Sequence, residues 1–592
     1  MKDEEKLTLA FIILLTFSLS AYGAMNAHLL SLDSYAELLL AKNAVEGKFS
    51  SPTPVLYMLT AGVYQTLSSG STEFDANLML NIAKVLPIIF SLVCIASFYF
   101  MLRSMFSEIA AVGGAVLLAS SQPFVIIMGS GSYYADALGM CLFTMACFAF
   151  FMFYSRKNYL FLLASAVIFL ISVMSWEMGW VMIGVILLSL LAQLVYDRSK
   201  KFDELLAHGV AAIFITFLLA YFISPHGNLL GEMKTANLSR YIFSAPFAIV
   251  GIFAFISWVI EKHKRRSEFG VFAASVFVLS VIILLFHYFP AAFGIALFSA
   301  FAINELLELR NEKLALLLFA GTFFFVSFLF AVNFLDMTQS IIASVGIALT
   351  SVFVAALYRE RRIVAYITFS VMALFLFSSV SAAIISASQR QDVVGSEADE
   401  VISWSVDNLP DDASLWAFRV SPLLEFTTGR KSYSNDTEFA RFILSNESAE
   451  FLKERNVTHL LVDTSLFDNI ETLKTLANNT RVRIESFRYW QKATDGTNLY
   501  GIFLSGEGNI LYVQIDAFSG VPVSGNARLI TREGNMRLIP ITNFLMLGSG
   551  RLIYPEDNYK VNLFMLFFGQ VNGMKPVYTT EEGGIKLYEV MK

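Results

Sequence analysis

Charged side chains are scarce in this chain of 592 residues, at 15%, where a water-soluble domain carries about 25%. A body of this size with so little charge cannot present most of its surface to water. Basic residues are not in surplus either: 42 Lys and Arg stand against 48 Asp and Glu, which leaves no field to hold a polyanion such as nucleic acid. There are only three cysteines, Cys94, Cys141 and Cys147, all in apolar runs. The C-terminal third has none, so disulfides do not hold it and its own core must.

What is abundant is hydrophobic sequence, 56% of the residues, and it is unevenly spread. From Lys6 to Ser386 long apolar runs alternate with short charged clusters, and from Gln389 onward charge, Gly and Asn return to ordinary globular density. The sequence therefore predicts a transmembrane domain over 1–386 and a soluble α/β domain over 387–592. Runs long enough to cross a bilayer fall at 7–23, 84–103, 108–128, 136–154, 159–174, 178–196, 207–224, 241–260, 269–288, 291–307, 313–332, 339–357 and 363–386, about thirteen helices of roughly 17–25 residues. The first run reads as a retained span, because no small-residue cleavage site follows it.

The loops set the orientation. Arg156 and Lys157, Arg198 to Lys201, Lys262 to Arg266, Arg310 and Lys313, and Arg359 to Arg362 occupy alternate loops. The intervening loops hold little beyond Asp33, Lys42, Lys48, Lys234, Arg240 and Asp336. Basic loops stay cytoplasmic, which puts the N-terminus inside and the tail outside. Asn-x-Ser/Thr triplets at Asn237, Asn435, Asn446, Asn456 and Asn478 all fall in the expected external segments. The tail begins with an expected helix over 392–408. Short apolar runs follow at 414–418, 459–462, 499–503, 510–515, 563–568 and 585–590, with a helical stretch over 437–455.

Ionisable groups at the edge of spans are candidates for function. Four carboxylates map to the external side: Asp33 and Glu37 in the first loop, Asp136 at the start of the fourth span, and Glu177 at the start of the sixth. Carboxylates from separate loops suit a hard cation, Mg²⁺ or Mn²⁺, held against a lipid-linked phosphate. Each alone also fits a solvated loop residue. Trp176 and Trp180 beside Glu177 read as an interfacial aromatic belt.

An acid early in a large first external loop, with a second acidic motif after the third span, is the layout of C-type membrane glycosyltransferases. More narrowly, the chain resembles the catalytic subunit of archaeal oligosaccharyltransferase. The resemblance rests on Leu32-Asp33-Ser34-Tyr35-Ala36-Glu37, Gly47-Lys48-Phe49 with Pro52 and Pro54, and Gly131-Ser132-Tyr133-Tyr134-Ala135-Asp136. It continues, in order, through Ser175 to Trp180, Trp404 with Leu409 to Ala413, Thr428 to Lys431, Glu450 to Asp463, and Lys575 to Val590. It implies glycan transfer from a dolichyl- or other polyprenyl-phosphate-linked donor at the outer face of the bilayer. It implies Asp33 and Asp136 as catalytic residues and metal ligands, with Glu177 as a further ligand. Four features depart from the family pattern. Tyr134 stands where the first acid of the second motif belongs, and Phe418-Arg419-Val420-Ser421-Pro422 stands where the sequon-reading signature belongs. The long loop after the ninth span shrinks to Phe289 and Pro290, and the late spans hold no Arg. These departures keep two other readings open: transfer to a lipid or sugar acceptor, and an inactive paralogue serving as a partner or scaffold in glycosylation. Few buried charges and no visible internal repeat speak against a transporter.

The alternating basic loops predict that protease added to intact spheroplasts releases residues 392–592 and spares the Lys262–Arg266 loop. Cleavage of that loop with a protected tail would reverse the orientation.

Overall fold

The computed structural model describes residues 3–21, 29, 32–48, 54–68, 74–130, 132–176, 178–196, 203–223, 269–283, 288–308 and most of 396–591. The expected spans at 241–260, 313–332, 339–357 and 363–386 lie outside these residues, as do Glu177 and the loop from His226 to Arg240. The chain divides into two units, Met1–Asp392 and Val393–Lys592.

The first unit is helical. Its described helices are α1 (Asp3–Ser20), α2 (Leu32–Val45), α3 (Pro54–Leu67), α4 (Ala76–Met105), α5 (Glu108–Ser120), α6 (Gln122–Met128), α7 (Ala135–Arg156), α8 (Tyr159–Ser175), α9 (Gly179–Tyr196), α10 (Asp203–Ile223), α11 (Gly270–Ile283) and α12 (Tyr288–Glu308). Among the described residues four helices, α4, α7, α9 and α10, are long and apolar enough to cross a membrane, five if the bent pair α5 and α6 is one span. This is a multi-pass membrane protein. α1, α3, α8, α11 and α12 are apolar over shorter lengths.

Three differences from the sequence-based expectation have local causes. The segment expected as the first external loop contains a helix pair, α2 and α3: α2 carries Asp33, Glu37, Lys42 and Asn43, and α3 is apolar but, at 14 residues, shorter than a span. α4 starts at Ala76, eight residues ahead of the expected span, because the Asp75 carboxylate accepts from the N–H groups of Asn77 and Leu78 and caps it. The expected span 108–128 is bent by 63° between α5 and α6. Pro123 lacks an N–H and its ring would collide with the preceding turn, so α5 stops at Ser120 and a new helix begins with Pro123 in its first turn.

α7 and α8 form a tight hairpin. Lys157 closes α7 in the left-handed region, and the Asn158 side chain accepts from Leu160 N–H to open α8. Lipid offers no hydrophobic drive between helices, so small residues and hydroxyls bring them together. Ser165 Oγ donates to the Ala146 carbonyl (2.8 Å) and Ser172 Oγ to the Gly139 carbonyl (2.7 Å). At Gly139 a Cβ would lie 2.1 Å from the Cβ of Trp176, and this leaves the Trp176 ring fully buried, edge-on to Phe143. Trp176 is thus a packing residue of the bundle and not part of an interfacial belt; only Trp180, beside Phe217 and Tyr221, remains partly exposed.

The second unit opens with α13 (Ser396–Asn408) and carries two sheets. The five-stranded sheet has the order β11 (Met574–Thr579), β12 (Ile585–Val590), β3 (His459–Asp463), β1 (Ser414–Trp416), β2 (Lys431–Tyr433). β1 runs parallel to both β2 and β3, and β12 antiparallel to β3. Helices α14 (Ser421–Thr428) and α15 (Asp436–Ile443) flank β2 in sequence. Trp416, fully buried, meets Tyr433 and Phe439 edge-on at 5.1 and 5.2 Å. The second sheet is all antiparallel: β4 (Ile484–Thr494), β5 (Leu499–Ser505), β6 (Ile510–Gln514), β7 (Asn526–Ile530), β8 (Met536–Pro540), β9 (Leu545–Leu547) and β10 (Arg551–Pro555), ordered β8-β7-β6-β5-β4-β10-β9. The apolar run at 563–568 is a helix, Asn562–Phe567, and not a strand; both faces of it bury Leu563, Phe564, Leu566 and Phe567. The helical stretch expected over 437–455 is split into Asp436–Ile443 and Glu450–Lys453.

Replacing Gly139 with Val forces two β-branch carbons into the Trp176 side chain. Overpacking of this kind costs about 1–3 kcal/mol, so the full-length Gly139→Val protein is expected to melt several degrees below wild type. An unchanged melting temperature would mean the α7–α8 contact is looser than described.

Candidate functional site

The helices α2 and α3 pack together, and both reach the N-terminal end of α7. The sequence builds this junction from side chains that alternate between apolar anchors and hydrogen-bonding groups. Tyr35, Leu38, Leu56 and Tyr57 are buried. Ser34 and Thr60, also buried, turn their hydroxyls toward the residues just before α7. Ser34 Oγ accepts from Tyr133 N–H at 3.0 Å. Thr60 Oγ1 and the Tyr133 hydroxyl share a hydrogen bond of 2.6 Å, and Thr60 also donates to the Leu56 carbonyl.

Glu37 lies at the centre of this seam. Its carboxylate accepts from the Tyr57 hydroxyl on α3 and from the backbone N–H of Ala135, the first residue of α7. Burial pushes its pKa up from the ordinary carboxylate range to about 7; the hydrogen bonds from Tyr57 and Ala135 oppose that rise, and the charges of Asp136 and Asp33 add to it. The structure therefore brings Asp33, Glu37 and Asp136 into one electrostatic cluster. Asp33 is exposed at the first turn of α2, and Asp136, half-buried, occupies the first turn of α7. Tyr134, where the resemblance asks for an acid, is the N-cap of α7 with an extended backbone and makes no side-chain cap bond.

Two of the three sequence-predicted site residues, Asp33 and Asp136, thus share one locality; Glu177 lies outside the described residues. Glu37 was visible as an external carboxylate, four residues after Asp33 on the same helical face, but nothing in the sequence tied it to Ala135. Among the described residues no three His, Cys, Asp or Glu side chains are close enough to hold a metal ion together. The donors present nonetheless suit Mg²⁺ or Mn²⁺ in kind: a partly hydrated Mg²⁺ is commonly held by one or two carboxylates with substrate phosphates completing its shell.

The segment standing for the sequon-reading signature spans the turn after β1 and the first two residues of α14. Arg419 has φ +59°, a left-handed conformation uncommon for a residue with a side chain. Its N–H donates to Asp436 Oδ1 (3.1 Å), and its guanidinium stacks over Phe418. Ser421 Oγ bonds Ala417 and Tyr433, and Val420 packs against the apolar cluster around Leu415. The polar groups of this turn serve the turn itself.

No protein-family model matches the chain, and no curated protein matches it. Solved structures do. One is the oligosaccharyltransferase of Archaeoglobus fulgidus tethered to an acceptor peptide containing the NVT sequon, with a TM-score of 0.66 at 12% identity over 98% of this chain and 80% of that one. The same organism's oligosaccharyltransferase AglB, in complex with an inhibitory peptide and a dolichol-phosphate, gives 0.65 at 11% identity over 98% and 80%. Its complex with zinc and sulfate gives 0.52 at 13% over 97% and 79%. The chain has the fold of an archaeal oligosaccharyltransferase.

Infrared titration of the full-length protein tests the cluster. A protonated carboxyl band is expected to disappear around pH 7 and to be absent from Glu37→Gln. In Tyr57→Phe the carboxylate loses a donor that favours its ionised form, so the same band is expected to persist to higher pH. A band that vanishes with ordinary carboxylates, at about pH 4–5, would dissolve the cluster.

Proposed function

We propose that this protein transfers a glycan from a polyprenyl- or dolichyl-phosphate-linked donor to an acceptor on the external face of the membrane. The N-terminus is cytoplasmic, about thirteen helices cross the bilayer, and the tail is outside. The observation that carries this reading is the convergence of carboxylates from α2 and α7 on one helix N-terminus, within the fold described above. In the reaction an acceptor atom forms a bond to the anomeric carbon while the bond from that carbon to the phosphate oxygen breaks. The leaving phosphate keeps the electron pair. Asp33, exposed on α2, orients the acceptor and takes its proton. Asp136, at the positive end of the α7 dipole, faces the donor phosphate side together with Asp33. These two residues would hold a divalent cation, Mg²⁺ or Mn²⁺, which supplies neutralisation of charge on the leaving phosphate.

Val420 favours an acceptor other than an Asn-x-Ser/Thr peptide. A site made to hydrogen-bond a hydroxyl discriminates by factors of about 10⁴ or more, and an apolar side chain forfeits that, which supports a lipid or sugar acceptor.

The test is a melting curve of the purified full-length protein with and without millimolar Mn²⁺. Wild type is expected to shift upward by a few degrees. Asp136→Asn, which keeps shape and removes charge, is expected to show no shift while expression and topology stay unchanged. If wild type itself shows none, the Tyr134 substitution has cost the site its function and the inactive-paralogue reading replaces this one.

A further inference from the structure

Helix α7 begins inside a packed region, and its first backbone N–H groups have no partner within the helix. The usual acceptor is a small polar side chain at the N-cap. Here the N-cap is Tyr134, which makes no such bond. The acceptor comes instead from a distant helix: Glu37 on α2 bonds the N–H of Ala135, while the Tyr57 hydroxyl on α3 bonds the same carboxylate. A carboxylate at a helix N-terminus is also favoured by the helix dipole. The two bonds from Ser34 and Thr60 to Tyr133 run alongside. Ser34, Tyr57, Thr60 and Tyr133 are each at most 1% exposed, so water does not compete for them. A fully satisfied buried network of this sort fixes geometry.

Resting on the transferase reading above, we propose that Glu37 is a positioning residue of the site: by joining Tyr57 of α3 to the Ala135 N–H of α7, it sets where Asp33 and Asp136 stand relative to each other. It thereby stands in for the acid that Tyr134 displaces. Asp33 is one helical turn before Glu37 on α2, and Asp136 is the residue after the amide that Glu37 holds. A movement of Glu37 is therefore passed to both. Its role is exerted through them, since its own oxygens are engaged by a phenol and an amide.

The groups that face Glu37 are Tyr57 on α3, Asp33 on its own helix, and Tyr133, the Ala135 N–H and Asp136 at the start of α7. With its proton held up to about pH 7, Glu37 gains negative charge as pH rises through that value. A cation beside it favours the ionised form, so affinity for a cation rises over the same window.

The experiment is calorimetric titration of Mn²⁺ alone into the full-length protein in nanodiscs, from pH 6 to pH 8. Glu37→Gln is expected to lower Mn²⁺ affinity about 10- to 100-fold, the range seen when an outer-shell partner of a metal site is removed, and to abolish the rise in affinity around pH 7. Tyr57→Phe keeps the charge and is expected to weaken binding less and move the rise to higher pH. A Glu37 that merely braced the fold would leave the pH profile unchanged. If Glu37→Gln binds Mn²⁺ as wild type does, with the same profile, while Asp136→Asn does not bind, the positioning role is overturned and the transferase site stands. If wild type does not bind Mn²⁺ at all, the site reading falls and this proposal with it. Should Glu37→Gln not accumulate, Tyr57→Phe decides: wild-type affinity together with a wild-type pH profile overturns the proposal.

Discussion

A helix that starts against packed side chains must have its buried first amide groups paired by something else in the protein. In this chain the start of α7 poses that demand, and a carboxylate from α2 answers it. The rest of the site follows from the match. α2 and α3 are drawn against α7, Asp33 and Asp136 both come within electrostatic range of Glu37, and the buried phenols of Tyr57 and Tyr133 find partners. A similar fold could exist with a local cap on α7, but then nothing would require α2 and α3 to form a pair of helices packed on that end.

The same economy runs through the bundle. Where side chains are small, backbones approach: Gly139 admits Trp176, and Gly114 admits Ala300 and the carbonyl of Ala296 on α12. Several serine hydroxyls in these helices bond carbonyls of their own or the facing helix, which lets a span carry serine at low cost, although those of Ser189 and Ser280 are buried without a partner. At the bend before Pro123, Ser120 and Ser121 donate their hydroxyls to the carbonyls of Leu117 and Leu118. The second unit follows other rules. Its cores are built on aromatic edge-to-face contacts around Trp416 and on alternation along antiparallel strands, where Phe487, Phe503, Leu511 and Leu529 share one face.

Much of this was legible in the residues. Hydropathy marks α4, α7, α9 and α10 because each holds a long uninterrupted apolar stretch, and β12, Ile585–Val590, follows directly on Gly583 and Gly584. The acids at 33 and 136 were legible because carboxylates next to apolar runs are rare. Other features were not. α2 carries too much polarity to read as a span and too little period to read as an amphipathic helix, and α3 is apolar but too short to span. β4 is long but mixes Arg488, Trp490, Gln491 and Lys492, with a bulge between Tyr489 and Gln491 that breaks its alternation. Glu37 could be seen as a carboxylate but not as a cap, since the amide it holds is remote in sequence and only packing brings the two together. Trp176 was misjudged for a related reason: the glycine that makes room for it sits on another helix.

The three thiols of the chain bear on how it can be studied. Cys94, Cys141 and Cys147 are all buried in α4 and α7, and none occurs in the second unit. A maleimide confined to water meets no native sulfur. The wild-type protein is accordingly its own cysteine-free background: a single cysteine placed on α2, or on the turn before α14, would carry a spin label or fluorophore without further mutagenesis, and whatever signal it gave would come from that position alone.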